Sequence, residues 1–184
     1  MELWLKPIPP QFHENAVSSL EKGEVIGFLG SASNIYGLDL VIMNQVYLKK
    51  IGLYEKALLD AWTTTRGNWS QYRYDELYDL FSTADKTKLL EAGDPLPNQK
   101  TFVAYRGVAG KGRKRRVRGF SWTLDQEMAQ WFANRFSWLG DLAVFKMEFS
   151  RQEILAYMND REEQEIIMLP DFNIVKARRV KGDS

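Results

Sequence analysis

The chain has no cysteine in its 184 residues and a single histidine, His13. The first absence excludes disulfides, thiolate nucleophiles and cysteine zinc sites. The second removes most imidazole chemistry, because one ring cannot serve as a general base and also build a multi-histidine metal centre. His13 follows Pro9, Pro10 and Phe12 in what reads as an extended lead-in, so it is expected to face solvent or cap a turn. No cluster has metal-ligand spacing, and no metal is expected. Long apolar runs are missing as well. No segment approaches the ~18 apolar residues of a membrane span, and the most apolar stretch, Leu38 to Val46, is broken by Asp39, Asn44 and Gln45. The opening MELWLKPIPP lacks a basic start followed by an apolar core, so it does not read as a signal peptide. Charge of one sign is not in excess: 25 Lys and Arg stand against 24 Asp and Glu, a net charge of +1. That balance gives no global electrostatic case for nucleic acid. The expectation is a soluble, cytoplasmic protein with no membrane partner.

What is present divides into two textures. Residues 1 to about 95 carry helical periodicity. Leu58, Leu59 and Trp62 recur at helical spacing within Tyr54–Thr65, and Leu77, Leu80 and Phe81 do so within Ser70–Phe81. Leu38–Lys50 also reads as helix, although it is partly β-branched. A further short helix through Lys88–Leu90 would stop at Gly93. The segment Gly93-Asp-Pro-Leu-Pro97 ends the helical half, because proline cannot continue a helix. From there the pattern is strand-rich: Lys100–Arg106, Val117–Trp122, Leu142–Phe149, Glu165–Leu169 and Phe172–Val180. Thr123 with Gln126 matches a capping box opening a helix that carries Met128, Trp131 and Phe132 on one face. Ser150 with Glu153 matches a second, expected to open a short helix through Tyr157. The expected organisation is α+β: a helical N-terminal lobe over 1–97, packing on a strand-rich core over 98–184. Tyr72, Tyr74 and Tyr78 are read as packing residues of that lobe in preference to adenine contacts.

Three short motifs sit in order on different strands of the second half. Tyr105-Arg106-Gly107 ends a strand. Gly119-Phe-Ser-Trp-Thr123 is a strand running into a helix. Glu163-Gln-Glu165 starts a strand after the turn Asn159-Asp-Arg-Glu162. In this order and context the chain resembles the ADP-ribosyltransferase superfamily in its Arg-Ser-Glu branch, over roughly residues 100–181. The resemblance implies a split β-sandwich fold and NAD+ as co-substrate, with no metal.

The residue types suit that chemistry. Breaking the nicotinamide–ribose bond builds positive charge on C1′ and the ring oxygen, as in glycoside hydrolysis. A carboxylate held beside that sugar stabilises the developing cation. The resemblance assigns this role to Glu165. It assigns to Glu163 the orienting of an acceptor, the guanidinium of an arginine, which a carboxylate attracts and aligns. On an extended chain Glu163 would project to the same side as Glu165. Arg106 would grip ribose or phosphate oxygens, Ser121 would position Glu165, and Thr123 would complete the NAD+ site. Gly107 would let the nicotinamide amide approach the backbone. The loop Asn134–Gly140 corresponds by position to the family's phosphate–nicotinamide loop. There Arg135 would bind the diphosphate and Phe136 would stack on nicotinamide; in the alternative, Phe136 or Trp138 is core packing and Arg135 a solvated helix end.

The sequence departs from larger family members in a short link between Arg106 and Ser121 and a compact turn before Glu163. Both leave the acceptor less defined than the NAD+ chemistry. The run Lys111–Arg118 holds six cations in eight residues. In one reading it is a solvated hairpin tip. In the other, Arg113, Lys114, Arg115 and Arg116 dock an acidic partner, either a protein target or a nucleic acid, with Lys176, Arg178, Arg179 and Lys181 extending the patch. Three functions therefore compete. The first is a mono-ADP-ribosyltransferase acting on a protein arginine, in a setting such as a toxin or phage effector. The second is the same NAD+ chemistry with water or nucleic acid as acceptor. The third is a non-catalytic module docking an acidic partner through 111–118.

Overall fold

The computed structural model describes residues 2–65, 71–111, 115–159, 162–170 and 177–180. The chain divides into two compact units, residues 1–92 and 93–184. The described residues form eight α-helices and six strands.

The first unit is helical: α1 (His13–Glu21), α2 (Val25–Gly30), α3 (Gly37–Met43), α4 (Gln45–Lys50), α5 (Tyr54–Thr64), α6 (Tyr74–Ser82) and α7 (Lys86–Ala92). The stretch expected to be one helix over 38–50 is two, broken at Asn44. This residue is 3% exposed. Its side chain donates to Leu40 O and Trp4 O and accepts from Trp4 N, tying the N-terminal segment to the helix pair. An asparagine that bonds backbone so readily competes with the helix it sits in. Phe28, Leu38, Leu48, Tyr54 and Leu58 are fully buried at the centre of this unit. His13 donates from Nε2 to Ile8 O at 2.8 Å, a capping contact. Since a carbonyl can only accept, Nε2 carries the proton.

The second unit is built on one sheet, in the order β4-β5-β2-β1-β3-β6, with every neighbouring pair antiparallel. The strands are β1 (Thr101–Ala109), β2 (Ser121–Thr123), β3 (Leu142–Ser150), β4 (Ile154–Met158), β5 (Glu165–Met168) and β6 (Arg178–Arg179). Among the described residues the one α-helix of this unit, α8 (Gln126–Arg135), follows β2. One sheet face carries Phe102, Ala104, Trp122, Phe149 and Ile166, all nearly inaccessible. Trp122 and Phe149 meet edge-to-face there at 5.5 Å. The opposite face carries Tyr105, Gly107, Thr123 and Glu165, with α8 laid over its upper part.

Three further expectations change. The capping box Ser150–Glu153 forms, but it closes a single 3-10 turn, and residues 154–158 continue as β4. Ile154–Met158 is buried at every position, and such a continuous apolar run suits an inner strand as well as a helix. Regular pairing of β2 begins at Ser121, not Val117. The cap of α8 is Asp125, whose carboxylate accepts from Glu127 N (2.7 Å) and Met128 N (3.2 Å); Thr123 and Gln126 do not form the box. Of the expected strand 172–180, residues 172–176 lie outside the described ones, and Arg178–Arg179 pairs with Phe145 and Lys146. No helix among the described residues is long and apolar enough to cross a membrane.

Candidate active site

The sheet is uneven. β1 and β3 pair over nine residues without a break, whereas β2 meets β1 at one pair, Tyr105 with Thr123. Beyond that pair the two strands part, and a cavity of about 120 Å³ opens where they do. Arg106, Ser121, Glu163 and Glu165 all line it, although 59 positions separate the first from the last. Gly107, Thr123 and Phe136 line it too, joined by Tyr105, Trp122 and Phe132.

Arg106 alternates to the other face of β1 from Tyr105 and Gly107, and its side chain reaches across to β2. Its Nη1 donates to Ser121 O, and its Nε approaches Arg116 O at 3.5 Å. Gly119 makes this path possible: a Cβ there would overlap the guanidinium carbon and Nη2 of Arg106. Gly119 lies within the Gly119–Thr123 motif, which does not by itself reveal this steric part. The signal was present, since a glycine one turn of chain ahead of the Ser-x-Thr strand has no turn to form.

Glu165 opens β5 and is 9% exposed. Its cross-strand partners are Thr123 on one side and Met158 on the other. Ser121 stands two pairs further along, opposite Ile167, so the residue in register with the carboxylate is Thr123. The Thr123 hydroxyl donates to Glu163 O at 2.6 Å and accepts from Asp125 N at 3.0 Å. Its only proton is thereby engaged in holding the chain before β5 against the start of α8, a positioning task.

Glu163 reaches the cavity by a different backbone route from the one expected. Glu162 and Gln164 have φ of 57° and 45°, so the chain between Glu163 and Glu165 is not extended. Left-handed torsions at two side-chain-bearing residues cost roughly 1–2 kcal/mol each. They are held by Gln164 O, which accepts from Leu124 N at 3.0 Å, and by the Thr123 bond to Glu163 O. Both carboxylates line the cavity because the turn twists, not because the strand alternates.

Gly107 lines the cavity, but the space of its missing side chain is filled by α8. A Cβ there would run into Ala129 O and stand 2.7 Å from Ala133 N. The close approach that Gly107 allows is therefore helix to strand. Phe136 follows α8 and sits edge-to-face with Trp138 at 5.5 Å. Trp138 is 71% exposed and is not core packing. Arg135 is exposed and lies over the Trp131 ring at 5.5 Å, away from the cavity lining. In the basic run, Arg113 and Lys114 lie outside the described residues. Arg115 turns inward, donating to Gly110 O (3.0 Å) and Asp141 O (3.4 Å), while Arg116 is exposed.

The arrangement offers a small recess with an arginine at the seam of the sheet, a buried carboxylate and a second carboxylate at the mouth. Its volume is below the ~300–1,000 Å³ of pockets that enclose a whole drug-sized ligand. It suits one flat ring, with the rest of a larger ligand lying outside. Comparison with known proteins finds no family model, no curated protein and no solved structure that matches this chain.

Proposed function

We propose that this chain is a mono-ADP-ribosyltransferase, moving ADP-ribose from NAD+ to a protein arginine with release of nicotinamide. The observation that carries the reading is the meeting of Arg106, Ser121, Glu163 and Glu165 around one cavity at the seam between β1 and β2. The division of the sheet into a β1–β3–β6 block and a β4–β5–β2 block, joined by one residue pair, fits the split sandwich that the resemblance implies.

The side chains fit the proposed co-substrate part by part. Tyr105, Phe132 and Phe136 give the recess aromatic walls for the nicotinamide ring. Arg106 supplies a fork of donors to the ribose or diphosphate oxygens. Glu165, held in register by Thr123, stabilises positive charge on the ribose as the C1′–N bond lengthens. The bonding pair departs with nicotinamide. A guanidinium nitrogen of the acceptor then forms the new bond to C1′, and its proton passes to Glu163 and on to solvent.

The test is nicotinamide release from NAD+ by wild-type and Glu165→Ala protein, with and without cell lysate. Wild-type release should rise with lysate, with a labelled protein appearing. The variant should lose roughly 10²–10³ in rate, the scale of removing one preorganised charge-stabilising group. Glu163→Gln should lose transfer while hydrolysis of NAD+ persists. Absence of both release and NAD+ binding by calorimetry would overturn the reading.

A further inference from the structure

A second depression lies immediately beside the cavity, along the first turns of α8. It has a volume of about 510 Å³ and is lined by Asp125, Glu127, Met128, Trp131 and Glu163. Glu163 is the one residue shared with the cavity lining. The two spaces therefore meet at the carboxylate that the transferase reading assigns to the acceptor.

The chemistry of the groove is one-sided. Three of its five lining residues are acidic and none is basic. Asp125 is committed to capping α8, and its charge is offset by the amides it receives. Glu127 and Glu163 supply the groove's field. The wall is not polar throughout. Trp131 is 51% exposed, and Met128 presents a polarisable thioether beside it. Indole is the best aromatic partner for a cation, and this ring already takes the Arg135 guanidinium at 5.5 Å. A groove that pairs carboxylates with an aromatic wall complements a long cationic side chain, whose stem is apolar and whose head is charged. It repels an acidic peptide or a nucleic-acid backbone.

We infer that this groove docks the acceptor: a basic, arginine-bearing protein segment that lies along α8 and delivers a guanidinium past Glu163 to the cavity. The inference rests on the transferase reading for its chemistry, but the docking itself is measurable without NAD+. It assigns to the α8 groove the target recognition for which the compact turn before Glu163 leaves little room.

The probe is a fluorescein-labelled peptide of alternating arginine and glycine, titrated with the full chain and followed by anisotropy. Wild-type protein should bind it, and Glu127→Lys should bind roughly tenfold more weakly. Glu148→Lys alters net charge equally but at an exposed position of β3, so it should stay within about twofold of wild type. Trp131→Ala should weaken binding and Trp131→Phe should restore most of it. With NAD+ present, Glu127→Lys should raise KM for the peptide acceptor while acceptor-free nicotinamide release stays unchanged. Equal weakening by Glu127→Lys and Glu148→Lys, or no peptide binding by wild type, would overturn the groove. Preference for an RNA oligonucleotide or an acidic peptide over the probe would do the same. Peptide binding without any nicotinamide release would instead sink the catalytic reading and leave the groove standing.

Discussion

Arg106 reaches Ser121 because position 119 leaves its side-chain space empty, and that dependence runs both ways. The φ of Gly119 is not in the left-handed region, so alanine is compatible with the backbone, and the atoms nearest its methyl group would be the tip of a flexible side chain. Gly119→Ala should therefore fold normally yet push the Arg106 guanidinium off the Ser121 carbonyl. On the transferase reading the expected outcome is a KM for NAD+ raised by about tenfold or more, the value of one charge-assisted hydrogen bond, with circular dichroism and melting unchanged. Steady-state kinetics of nicotinamide release beside Arg106→Lys would check it; an unchanged KM means the guanidinium does not hold the substrate. Although β1 runs on past Arg106 to Ala109 instead of ending there, that Arg106 would meet Ser121, Glu163 and Glu165 around one cavity was legible in the order of the motifs. Its route was not, because the route depends on what a residue 13 positions away lacks.

At the scale of elements, local periodicity revealed β1, β3, β5, α5, α6 and α8 with ends shifted by a few residues. It failed where a local signal was genuine but outweighed. Ser150 and Glu153 make the capping box their spacing promises, and the chain still turns into β4, because Ile154, Ala156 and Met158 find partners along β5. Asn44 looked like one polar residue within a helix, and its three backbone bonds instead divide it. Thr123 and Asp125 compete for the cap of α8. Asp125 takes it because Thr123 is drawn to Glu163, a contact across 40 positions that no window of sequence contains. The packing of α8 on β1 yields a sharp expectation. Gly107 has no left-handed torsion to protect, so Gly107→Ala tests contact alone, and the contact is backbone to backbone. The sheet unit should lose roughly 1–3 kcal/mol, the usual cost of overpacking. Urea unfolding measures this, and a loss under half a kcal/mol would mean that α8 shifts freely.

At the scale of the whole molecule, alkaline pH acts on the helical unit through its buried phenols. In the helical unit, Tyr54 is fully buried and donates its hydroxyl to Leu80 O at 2.9 Å. Burial pushes its ionisation from 10.0 up to about 12, against the smaller opposing effect of hydrogen bonds from Thr83 and Gln45. Burial moves Tyr72, whose hydroxyl meets Asp39, in the same direction to about 12. A phenol with a raised folded value lends stability that is complete below about pH 10 and fades as pH climbs to about 12, because the unfolded chain ionises first. The helical unit should therefore weaken steeply across that window. Tyr54→Phe should be less stable at neutral pH but flatter above pH 10. Urea midpoints measured from pH 8 to 12 would show whether the slope falls; an unaltered slope would remove Tyr54 from the cause.

The single pair between β1 and β2 also has a mechanical meaning. A nine-residue ladder on one side and the β2–β5–β4 block on the other make two panels, joined at Tyr105 and Thr123. Arg106 spans the joint as a latch, anchored in one panel and fastened to the carbonyl of the other. Any anion that draws the guanidinium toward itself pulls on both panels at once. Filling the recess is then also a load on the joint between them.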